Sequence, residues 1–455
     1  MSDSRPLKVL VSSFAFSPVK GSEFSVGWDY VRAISARHKV WVIARSTERE
    51  ETEEYLRQHP DAMPNVTVHY LPFSSSSFSF PLWELAFYPM MRQWQRKALR
   101  LGCALDAEIN FDLIHHITAT GFREPGYLWK IPKPFVWGPV AGLQYFPLQL
   151  LSAVPFRSRP FFVLKNLSTV WAMHFSRRPR RAAATARALL AGSSSVADKV
   201  RSLWGLDATV SCEVSAPDLE LGPPARRAPD EPLHIVWSGS CQPRKALNIV
   251  LLALRQLRQS PVNWRLTAVG DGPLLAPWKA LAASLGIGER CTFLGRVSRA
   301  EVLRVMATGH CFVQPSLYDA TSTVVAEALA HGLPVICLDH FGFKDAVHAD
   351  CGVRIPPNSL DQVVRGFARA IEALCLDEDR RYAMAIAAQK ASQCLTWQHK
   401  AEVINEVYRR VLPEMFAAQE NPAKLNSIAH MPYELNTPSS LATCRTIENQ
   451  GQNVR

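Results

Sequence analysis

Short apolar runs alternate with longer amphipathic stretches along most of the chain. Residues 7–12 and 233–239 have the continuous apolar character of strands that are buried on both faces, and each run precedes a turn with small residues. Helical patterns follow both turns, so each run opens a strand–loop–helix unit. Two such openings, one in each half of the chain, predict an α/β protein with two similar parallel-sheet domains.

Further runs extend the same pattern. In the N-terminal half the predicted strands include HKVWVIAR, NVTVHYLPF, FDLIHHIT and PFVWGPV. In the C-terminal half the alternation is cleaner, and the predicted strands are WRLTAVGDG, CTFLGRV, HCFVQPS and LPVICLD. Helical patterns separate these runs, as expected when parallel strands are covered on both faces.

A proline-rich segment marks the predicted join between the domains. Residues 219–232 hold four prolines, one glycine and charges of both signs, with few residues suited to a core. We therefore assign residues 1–222 to an N-terminal domain and residues 223–395 to a C-terminal domain. Beyond Phe416 the chain is rich in Asn with scattered Pro and Ser, which predicts a disordered tail over residues 417–455.

Composition narrows the class of protein. The 455 residues are 47% hydrophobic and 20% charged, as in a folded globular protein. We find no apolar run long enough to span a membrane and no apolar core of a secretory signal near the N-terminus. The ten cysteines lack C-x-x-C spacing, which argues against a zinc site and against a disulfide framework. We expect a cytoplasmic protein without a metal site.

The net charge of +11 favours an acidic partner. Nucleic acid, anionic lipid and a phosphorylated substrate all fit this sign, and a merely solubilising charge is the alternative. Residues 81–102 and 146–175 combine aromatic and aliphatic residues with Arg and Lys at helical spacing. Such segments are typical of helices at an anionic membrane surface, and ordinary core helices are the competing interpretation. Four arginines follow the second segment: Arg177, Arg178, Arg180 and Arg181.

Residues 315–337 carry the most specific chemistry. Asp319 and Glu327 flank a predicted helix start, whose backbone N–H groups at Thr321, Ser322 and Thr323 would point at an anion. The helix dipole would favour a phosphate at that place. The two carboxylates can accept hydrogen bonds from sugar hydroxyls, so the segment suits a sugar nucleotide. The alternative is one surface acid and one helical acid on a solvated face.

A second candidate segment follows the first predicted strand of the C-terminal half. Gly239 and Ser240 form a small-residue turn that allows close backbone approach, and Arg244 and Lys245 supply positive charge. Together these residues could hold a pyrophosphate. An exposed basic turn is the alternative interpretation.

These two segments resemble retaining glycosyltransferases of family 4. The span from Asp319 to Glu327 is similar to the family's acidic–x7–acidic motif, with Asp319 where the family usually has Glu. Lys245 fits the family's donor-binding lysine, whereas Ser240 stands where an arginine is usual. The resemblance implies the GT-B fold, an α/β architecture in which two Rossmann-like parallel-sheet domains face a cleft.

The resemblance extends over roughly residues 7–412 and is strongest over residues 233–357. A loop at residues 137–142 resembles a Gly-Pro-rich loop of exopolysaccharide-type members. Near the C-terminus, residues 396–416 are similar to the family's closing helix, which crosses back to the first domain.

The resemblance also implies roles for individual residues. Asp319 would hold hydroxyls of the donor sugar, and Glu327 would hold the ribose hydroxyls. His115 or His116, at the end of a predicted strand, would contact the transferred sugar or the acceptor hydroxyl; a hydrogen-bonded structural histidine is the alternative. Lys245 would hold the donor diphosphate. The other residues expected at the donor are Arg244, Gly239, Ser240, Gly270, Gly272, Val297, Thr321, Ser322, Thr323 and Gly21.

The function implied is transfer of a sugar from a nucleotide-sugar donor, with retention of configuration, to a glycan or polyprenyl-linked glycolipid. Such a reaction serves polysaccharide biosynthesis and needs no cofactor besides the donor. The expected location is the cytoplasm, at the inner face of the cytoplasmic membrane. A sugar-nucleotide epimerase of the same architecture and a non-catalytic sugar-nucleotide-binding scaffold remain alternatives. A nucleic-acid binder is suggested by charge alone, without a supporting motif.

Overall fold

A parallel sheet organises the N-terminal half of the computed structural model, which describes residues 5–21, 23–73, 82–217 and 222–416. In these ranges the sheet has seven strands in the order β3-β2-β1-β4-β5-β6-β7. The strands are β1 (Lys8–Ser13), β2 (Lys39–Arg45), β3 (Val66–Leu71), β4 (Leu113–Thr118), β5 (Phe135–Val140), β6 (Ala188–Ala191) and β7 (Thr209–Val210). The helices of this half are α1 (Glu23–Ser35), α2 (Arg49–Gln58), α3 (Leu82–Ile109), α4 (Arg159–Phe175), α5 (Arg177–Thr185) and α6 (Ser194–Trp204).

A second parallel sheet organises the C-terminal half. Its described strands lie in the order β10-β9-β8-β11-β12-β13. They are β8 (Leu233–Ser238), β9 (Trp264–Val269), β10 (Cys291–Gly295), β11 (Cys311–Gln314), β12 (Val335–Leu338) and β13 (Gly352–Ile355). The helices are α7 (Leu247–Gln256), α8 (Leu275–Ser284), α9 (Arg299–Ala307), α10 (Thr323–Ala330), α11 (Phe343–Ala346), α12 (Leu360–Leu376), α13 (Glu378–Gln393), α14 (Trp397–Val411) and α15 (Pro413–Phe416).

The two sheets share one topological plan, and the predicted α/β fold with two parallel-sheet domains is confirmed. In each sheet the chain builds strands outward on one side, then returns past the first strand to build on the other. The reversal falls between β1 and β4 and between β8 and β11. In open sheets of this kind, ligands bind outside the carboxyl ends of the strands at that reversal.

Continuous apolar runs explain the strands at both reversals. Every residue of β4, β5 and β8 is buried, including His115, His116 and His234. Since both faces of these strands are covered by helices, their sequences show no polar alternation. The predicted strand positions therefore follow directly from the residue pattern.

Residues 146–162, which end in the first turn of α4, pack against the core of the second sheet. Phe146, Leu150 and Phe162 lie in the same apolar cluster as the α7 and α12 side chains. Asn248 Nδ2 donates to the Ala153 carbonyl at 2.9 Å, which ties α7 to this segment. These contacts join the two sheet-bearing regions, which both belong to the compact unit Pro6–Tyr408.

Helix α14 contacts the first sheet although it follows the second in sequence. The Tyr408 hydroxyl lies 2.8 Å from His115 Nδ1 of β4, and Lys400 Nζ donates to the Val214 carbonyl at 3.1 Å. The other compact unit includes Arg5 and residues 409–416. Within it, the guanidinium of Arg409, near the end of α14, lies 5.8 Å from the centre of the Phe416 ring of α15. The predicted disordered tail, residues 417–455, lies outside the described residues.

Helix α3 contains most of the first segment predicted to lie at a membrane. Met91, Trp94 and Ala98 are buried, whereas Arg96 and Arg100 are exposed. This distribution is that of an ordinary core helix, the competing interpretation of the segment. Among the described helices, none combines the length and the apolar character needed to cross a bilayer.

Candidate functional site

An ion-paired cluster occupies the carboxyl ends of β8 and β11. Lys245 Nζ donates to Asp319 Oδ2, and Arg244 Nη1 lies 3.5 Å from Asp319 Oδ1. The backbone reinforces the link, because the Leu317 N–H donates to the Arg244 carbonyl at 2.7 Å. The loops after the two strands are thus fastened to each other at the sheet reversal. The structure thus brings together Arg244, Lys245 and Asp319, which belong to two separate motifs in the sequence.

Burial sets the electrostatics of this cluster. Loss of solvent alone would raise the pKa of Asp319, but the charges of Lys245 and Arg244 hold that pKa below its ordinary value. Burial lowers the pKa of Lys245, and Asp319 opposes that change. The Asp319 carboxylate and the Lys245 ammonium therefore support each other's charge. Lys245 Nζ also lies 3.4 Å from Ser322 Oγ, which brings the cluster to the start of α10.

Backbone donors are exposed to this cluster at the start of α10. The N–H groups of Ser322 and Thr323 have no hydrogen-bond partner in the described part of the chain. The Thr321 N–H, by contrast, donates to Glu213 Oε1 at 2.9 Å. Two of the three predicted anion-binding amides are available, and the third is held by a carboxylate from the N-terminal half.

Glu213 is a candidate functional residue that the sequence analysis missed. It follows β7, it is only 6% exposed, and its Oε2 lacks a hydrogen-bond partner among the described residues. A side chain at Gly192 would place its Cβ 2.4 Å from that oxygen, so a larger residue there would displace the Glu213 carboxyl. An acid at the end of an apolar strand was the only sequence signal, and nothing local connected it to Thr321.

Burial raises the pKa of Glu213 to about 7, and the nearby charges of Asp319 and Glu23 add to the effect. The Thr321 N–H and the Lys400 ammonium oppose it. A carboxyl of this kind is partly protonated near neutral pH. It can therefore both donate and accept a hydrogen bond within reach of the cluster.

The glycine turns after β8 and β9 pack directly against each other. Gly270 has φ +136°, and a Cβ there would lie 1.8 Å from the Gly239 carbonyl oxygen. Gly272 has φ +148° and would place a Cβ 2.8 Å from the Cys241 carbonyl. The Gly239 N–H donates to the Val269 carbonyl at 3.0 Å, and the carbonyl of Ser240 accepts from Gln242. These turns border the cluster, as the predicted pyrophosphate segment requires.

Glu327 lies in the second turn of α10, eight residues after Asp319. It is 5% exposed, and its Oε1 lies 3.0 Å from Arg299 Nη2. Burial raises the pKa of Glu327, and Arg299 opposes the change. Arg299 opens α9 two positions after Val297, so this ion pair brings the half-buried Val297 loop beside Glu327. Val297, which we expect at the donor, is thus two residues from the arginine that pairs with Glu327.

The two histidines predicted at the strand end lie inside the protein. His115 Nε2 is 2.8 Å from the Gly138 carbonyl, and Nδ1 contacts Tyr408, so both ring nitrogens are engaged. His116 Nε2 is 3.1 Å from the Glu124 carbonyl. The side chains of His115 and His116 are 0% and 1% exposed, and burial lowers their pKa values to about 3 and about 4. Both side chains are thus held by hydrogen bonds within the protein, and His116 Nδ1 has no partner among the described residues.

The loop after β1 lies at the carboxyl end of the first sheet. Gly21 is exposed, with no atom within 4 Å of a Cβ built there. Its neighbour Glu23 accepts from the Thr120 N–H at 2.7 Å, which fixes the start of α1 to the loop after β4. Across the described ranges, no three His, Cys, Asp or Glu side chains are grouped so that they could hold a metal ion.

Solved structures show the same arrangement of two parallel-sheet domains. Sucrose-phosphate synthase from Thermosynechococcus elongatus superposes with a TM-score of 0.62 at 18% identity, over 91% of this chain and 100% of that one. Anabaena HepE in complex with UDP superposes with a TM-score of 0.57 at 17% identity, over 88% of this chain and 99% of that one. The fold is therefore GT-B.

Sequence comparison defines the C-terminal domain more closely. Residues 223–391 match the family profile "Glycosyl transferases group 1". The D-inositol 3-phosphate glycosyltransferase of Nocardia farcinica is 31% identical over 204 residues, which is 42% of this chain and 43% of that protein. The matched region thus spans less than half of that relative. The span that matches the profile, residues 223–391, contains the Asp319 cluster and Glu327.

Proposed function

We propose that the protein is a retaining glycosyltransferase that moves a sugar from a nucleotide-sugar donor to a glycan or lipid-linked glycan. The observation that carries the proposal is the cluster of Lys245, Arg244 and Asp319 beside the free amides of α10. Cations and backbone donors converge there at the sheet reversal, inside the span that matches the group 1 glycosyltransferase profile. The UDP complex of Anabaena HepE, a protein of the same fold, supports a nucleoside diphosphate as the donor's leaving group.

The diphosphate would lie against Lys245, Arg244 and the amides of Ser322 and Thr323. As the bond between the anomeric carbon and the donor phosphate oxygen breaks, negative charge develops on that oxygen. Fixed cations and N–H groups stabilise this charge without having to reorganise, which is the largest contribution that such a site can make. Glu327 would accept hydrogen bonds from the ribose, beside the base at Val297.

Asp319 would accept hydrogen bonds from hydroxyls of the donor sugar, oriented by its contacts with Lys245 and Arg244. The acceptor oxygen attacks the anomeric carbon on the face that the phosphate leaves, and the acceptor proton passes to the leaving phosphate. This front-face route retains configuration and requires no protein nucleophile. The resemblance of the Asp319–Glu327 motif and of the loop at residues 137–142 leads us to propose a family 4 protein of the exopolysaccharide type.

The buried carboxyl of Glu213 lies next to this site, on the side of the N-terminal domain. Its Oε1 is fixed by the Thr321 N–H, while its Oε2 has no partner among the described residues. An unpaired buried oxygen is costly unless a ligand supplies the missing hydrogen bond. We therefore assign Oε2 to a hydroxyl of the donor sugar or of the acceptor.

The proposal is tested by thermal shift with UDP, GDP, ADP and their sugar conjugates, on wild type and on Glu327→Gln. A ligand at 100 times its dissociation constant adds roughly 2.7 kcal/mol of stability, which is readily measured. We expect one base to stabilise the wild type and to stabilise the variant much less. Absence of any response to all of these ligands would contradict the proposal.

Turnover is measured separately by release of nucleoside diphosphate in the presence of a lipid-linked glycan. Release that depends on the acceptor supports transfer. Donor binding with no release, or conversion of the donor to its epimer without an acceptor, would identify the scaffold or the epimerase instead.

A further inference from the structure

Helix α4 exposes large apolar side chains that a core helix would bury. Two of the five side chains on its buried face, Asn166 and Thr169, are polar. Its outward face carries a stripe of large apolar residues, spaced three or four positions apart and therefore on one side of the helix. These residues are 63%, 61%, 62% and 68% exposed in the order Leu164, Leu167, Trp171 and Phe175.

Hydrogen bonds fix this orientation of the helix. Asn166 Nδ2 donates to the Phe146 carbonyl at 2.8 Å, and its Oδ1 accepts from the Phe146 N–H at 2.9 Å. Arg123 Nη2 donates to Thr169 Oγ1 at 2.7 Å. Rotation of α4 to bury the apolar stripe would break all three bonds and leave polar groups unsatisfied. The exposure of the apolar stripe is therefore fixed by the packing of α4.

The apolar exposure is concentrated at this one place. Six of the eleven exposed large hydrophobic side chains in the described ranges lie between Phe156 and Phe175. Phe156, just before α4, is the most exposed of these at 79%. Singly scattered apolar residues need no explanation, whereas a contiguous patch marks an interaction site.

The surrounding sequence is strongly basic. Residues 125–197 contain ten Lys and Arg residues and no Asp or Glu. Of these, Arg157 before α4 and Arg177 and Arg181 after it are exposed and make no salt bridge within the described residues. Their charges thus remain available to a partner at both ends of the apolar stripe.

We propose that α4, together with Phe156 and the flanking exposed arginines, is the surface by which the protein docks on a bilayer that contains anionic lipid. An apolar stripe bordered by arginines matches a membrane interface, where the rings and aliphatic chains enter the acyl boundary and the cations meet the headgroups. The aliphatic side chains of Leu164 and Leu167 would gain nothing from nucleic acid. A symmetric contact between two copies would bring two uncompensated positive surfaces together, which is unfavourable.

The position of α4 connects this surface to the candidate active site. On the inner side of the helix, Lys165 Nζ lies 4.2 Å from the centre of the Tyr318 ring, one residue before Asp319. If the proposed transfer is correct, docking would present the site to an acceptor held in the same bilayer. The docking itself does not depend on that function, since it involves neither donor nor acceptor.

The test measures co-sedimentation of the full chain with vesicles, without nucleotide sugar. One set of vesicles is phosphatidylcholine, and the other is phosphatidylcholine mixed with phosphatidylglycerol. We expect binding to the anionic vesicles at low salt, with loss at high salt. Leu167→Ser/Trp171→Ser should weaken binding about tenfold or more because it removes the centre of the stripe.

A matched control comes from the second domain. Leu376 and Ile386 are 66% and 48% exposed, and Leu376→Ser/Ile386→Ser removes the same kind of side chain elsewhere. The control should bind vesicles as the wild type does. Equal loss in both variants, or wild-type binding by the α4 variant, would overturn the proposal. So would failure of the wild type to bind anionic vesicles at low salt.

A depth measurement identifies the residue that enters the bilayer. Vesicles with brominated acyl chains should quench wild-type tryptophan fluorescence, and Trp171→Phe should remove most of that quenching while it retains binding. Quenching that persists in Trp171→Phe would contradict docking through α4. A stable dimer that Leu167→Ser/Trp171→Ser splits, detected by sedimentation velocity, would assign the stripe to a second copy and overturn the proposal.

Discussion

The carboxyl ends of the two sheets share a topology but differ in chemistry. At the reversal of the second sheet, Lys245, Arg244 and Asp319 form a partly accessible ionic cluster. At the reversal of the first sheet, the Thr118 hydroxyl accepts from the Ala15 N–H at 3.0 Å and lies 3.2 Å from Ser13 Oγ. Hydroxyls thus join these two strand ends, and the acid at this reversal, Glu23, accepts from the Thr120 N–H of the loop after β4.

This difference shows that the shared strand order creates a position where a ligand can bind but does not determine whether one binds there. Charged groups with spare hydrogen-bonding capacity make the second reversal suited to an anion. At the first reversal the hydroxyls and Glu23 are held by neighbouring groups of the chain and the histidines are fully buried, so we interpret it as a structural joint. We therefore expect substitutions at the second to affect ligand binding and substitutions at the first to affect stability.

The largest effect is expected from Lys245→Met. It removes the cation nearest to the proposed diphosphate, so the transfer rate should fall about 100-fold or more. It also leaves Asp319 without its main partner, which should cost about 3 kcal/mol of stability. Transfer is measured by nucleoside diphosphate release and stability by urea denaturation.

The double variant Lys245→Met/Asp319→Leu separates the two effects. Removing both charges should restore much of the lost stability, because no buried charge is left unpaired. The transfer rate should stay low. A Lys245→Met variant that transfers within about tenfold of the wild-type rate would contradict the assignment of the second reversal as the active site.

Glu213→Gln tests the buried carboxyl through which the N-terminal half contacts Thr321, close to the second reversal. In the folded protein the pKa of Glu213 is about 7, above its ordinary value of 4.5, so the folded state favours the protonated acid. That contribution to stability is fully present below about pH 4.5 and is lost as the pH rises through about 7. The variant removes this titration and should be more stable than wild type above pH 7 by up to about 3 kcal/mol.

The difference between the free energies of unfolding of the two proteins across pH reports on Glu213 and on its coupling to Lys400. Asp29 and Lys400 titrate in the same interval, with pKa values of about 7 and about 8, and the Glu213 charge raises the pKa of Lys400. If the free energies of unfolding of wild type and Glu213→Gln had parallel pH profiles between pH 4.5 and about 7, the raised pKa of this carboxyl would be contradicted.

Glu327→Gln should weaken donor binding about tenfold, since a charged acceptor of the ribose hydroxyls becomes a neutral one. Isothermal titration with the donor identified by thermal shift measures the change. Glu289→Gln is the control, because Glu289 is an exposed acid in the same domain. Equal donor affinity in Glu327→Gln and in the control would remove Glu327 from the site.

The smallest effect is expected from Tyr408→Phe, at the first reversal. It deletes the hydroxyl bonded to His115 Nδ1 and should cost about 1 kcal/mol of stability, measured by urea denaturation. Donor affinity should be unchanged, because this bond lies in the structural joint. A marked fall in donor affinity would show that the histidine side of the first sheet takes part in the site.

Local patterns predicted the second domain well. Asp319, the basic pair Arg244 and Lys245 and the glycine turns each lie between the end of a strand and the start of a helix, and Glu327 lies in the helix that follows Asp319. Parallel strands bring such ends to one edge of a sheet, so the ionic cluster could be anticipated from the order of the motifs.

Local patterns predicted less about the first domain. His115 and His116 also follow an apolar run at a strand end, yet both are enclosed by residues that approach from elsewhere. Similarly, residues 81–102 and 146–175 have comparable mixtures of apolar and basic residues, but the described part of α3 buries its apolar face and α4 exposes it. Composition and helical spacing were alike, and packing partners made the difference.

The sequence by itself determined the α/β alternation, the two parallel sheets and the placement of the acidic, basic and glycine motifs, because these depend on period and on neighbours within a few residues. Only the tertiary structure decided that Glu213 reaches Thr321 across 108 residues and that Tyr408 covers His115 across 293. It also decided which face of α4 is exposed. The physical reason is that such contacts depend on how whole elements pack, and no local spacing encodes a partner supplied by a distant part of the chain.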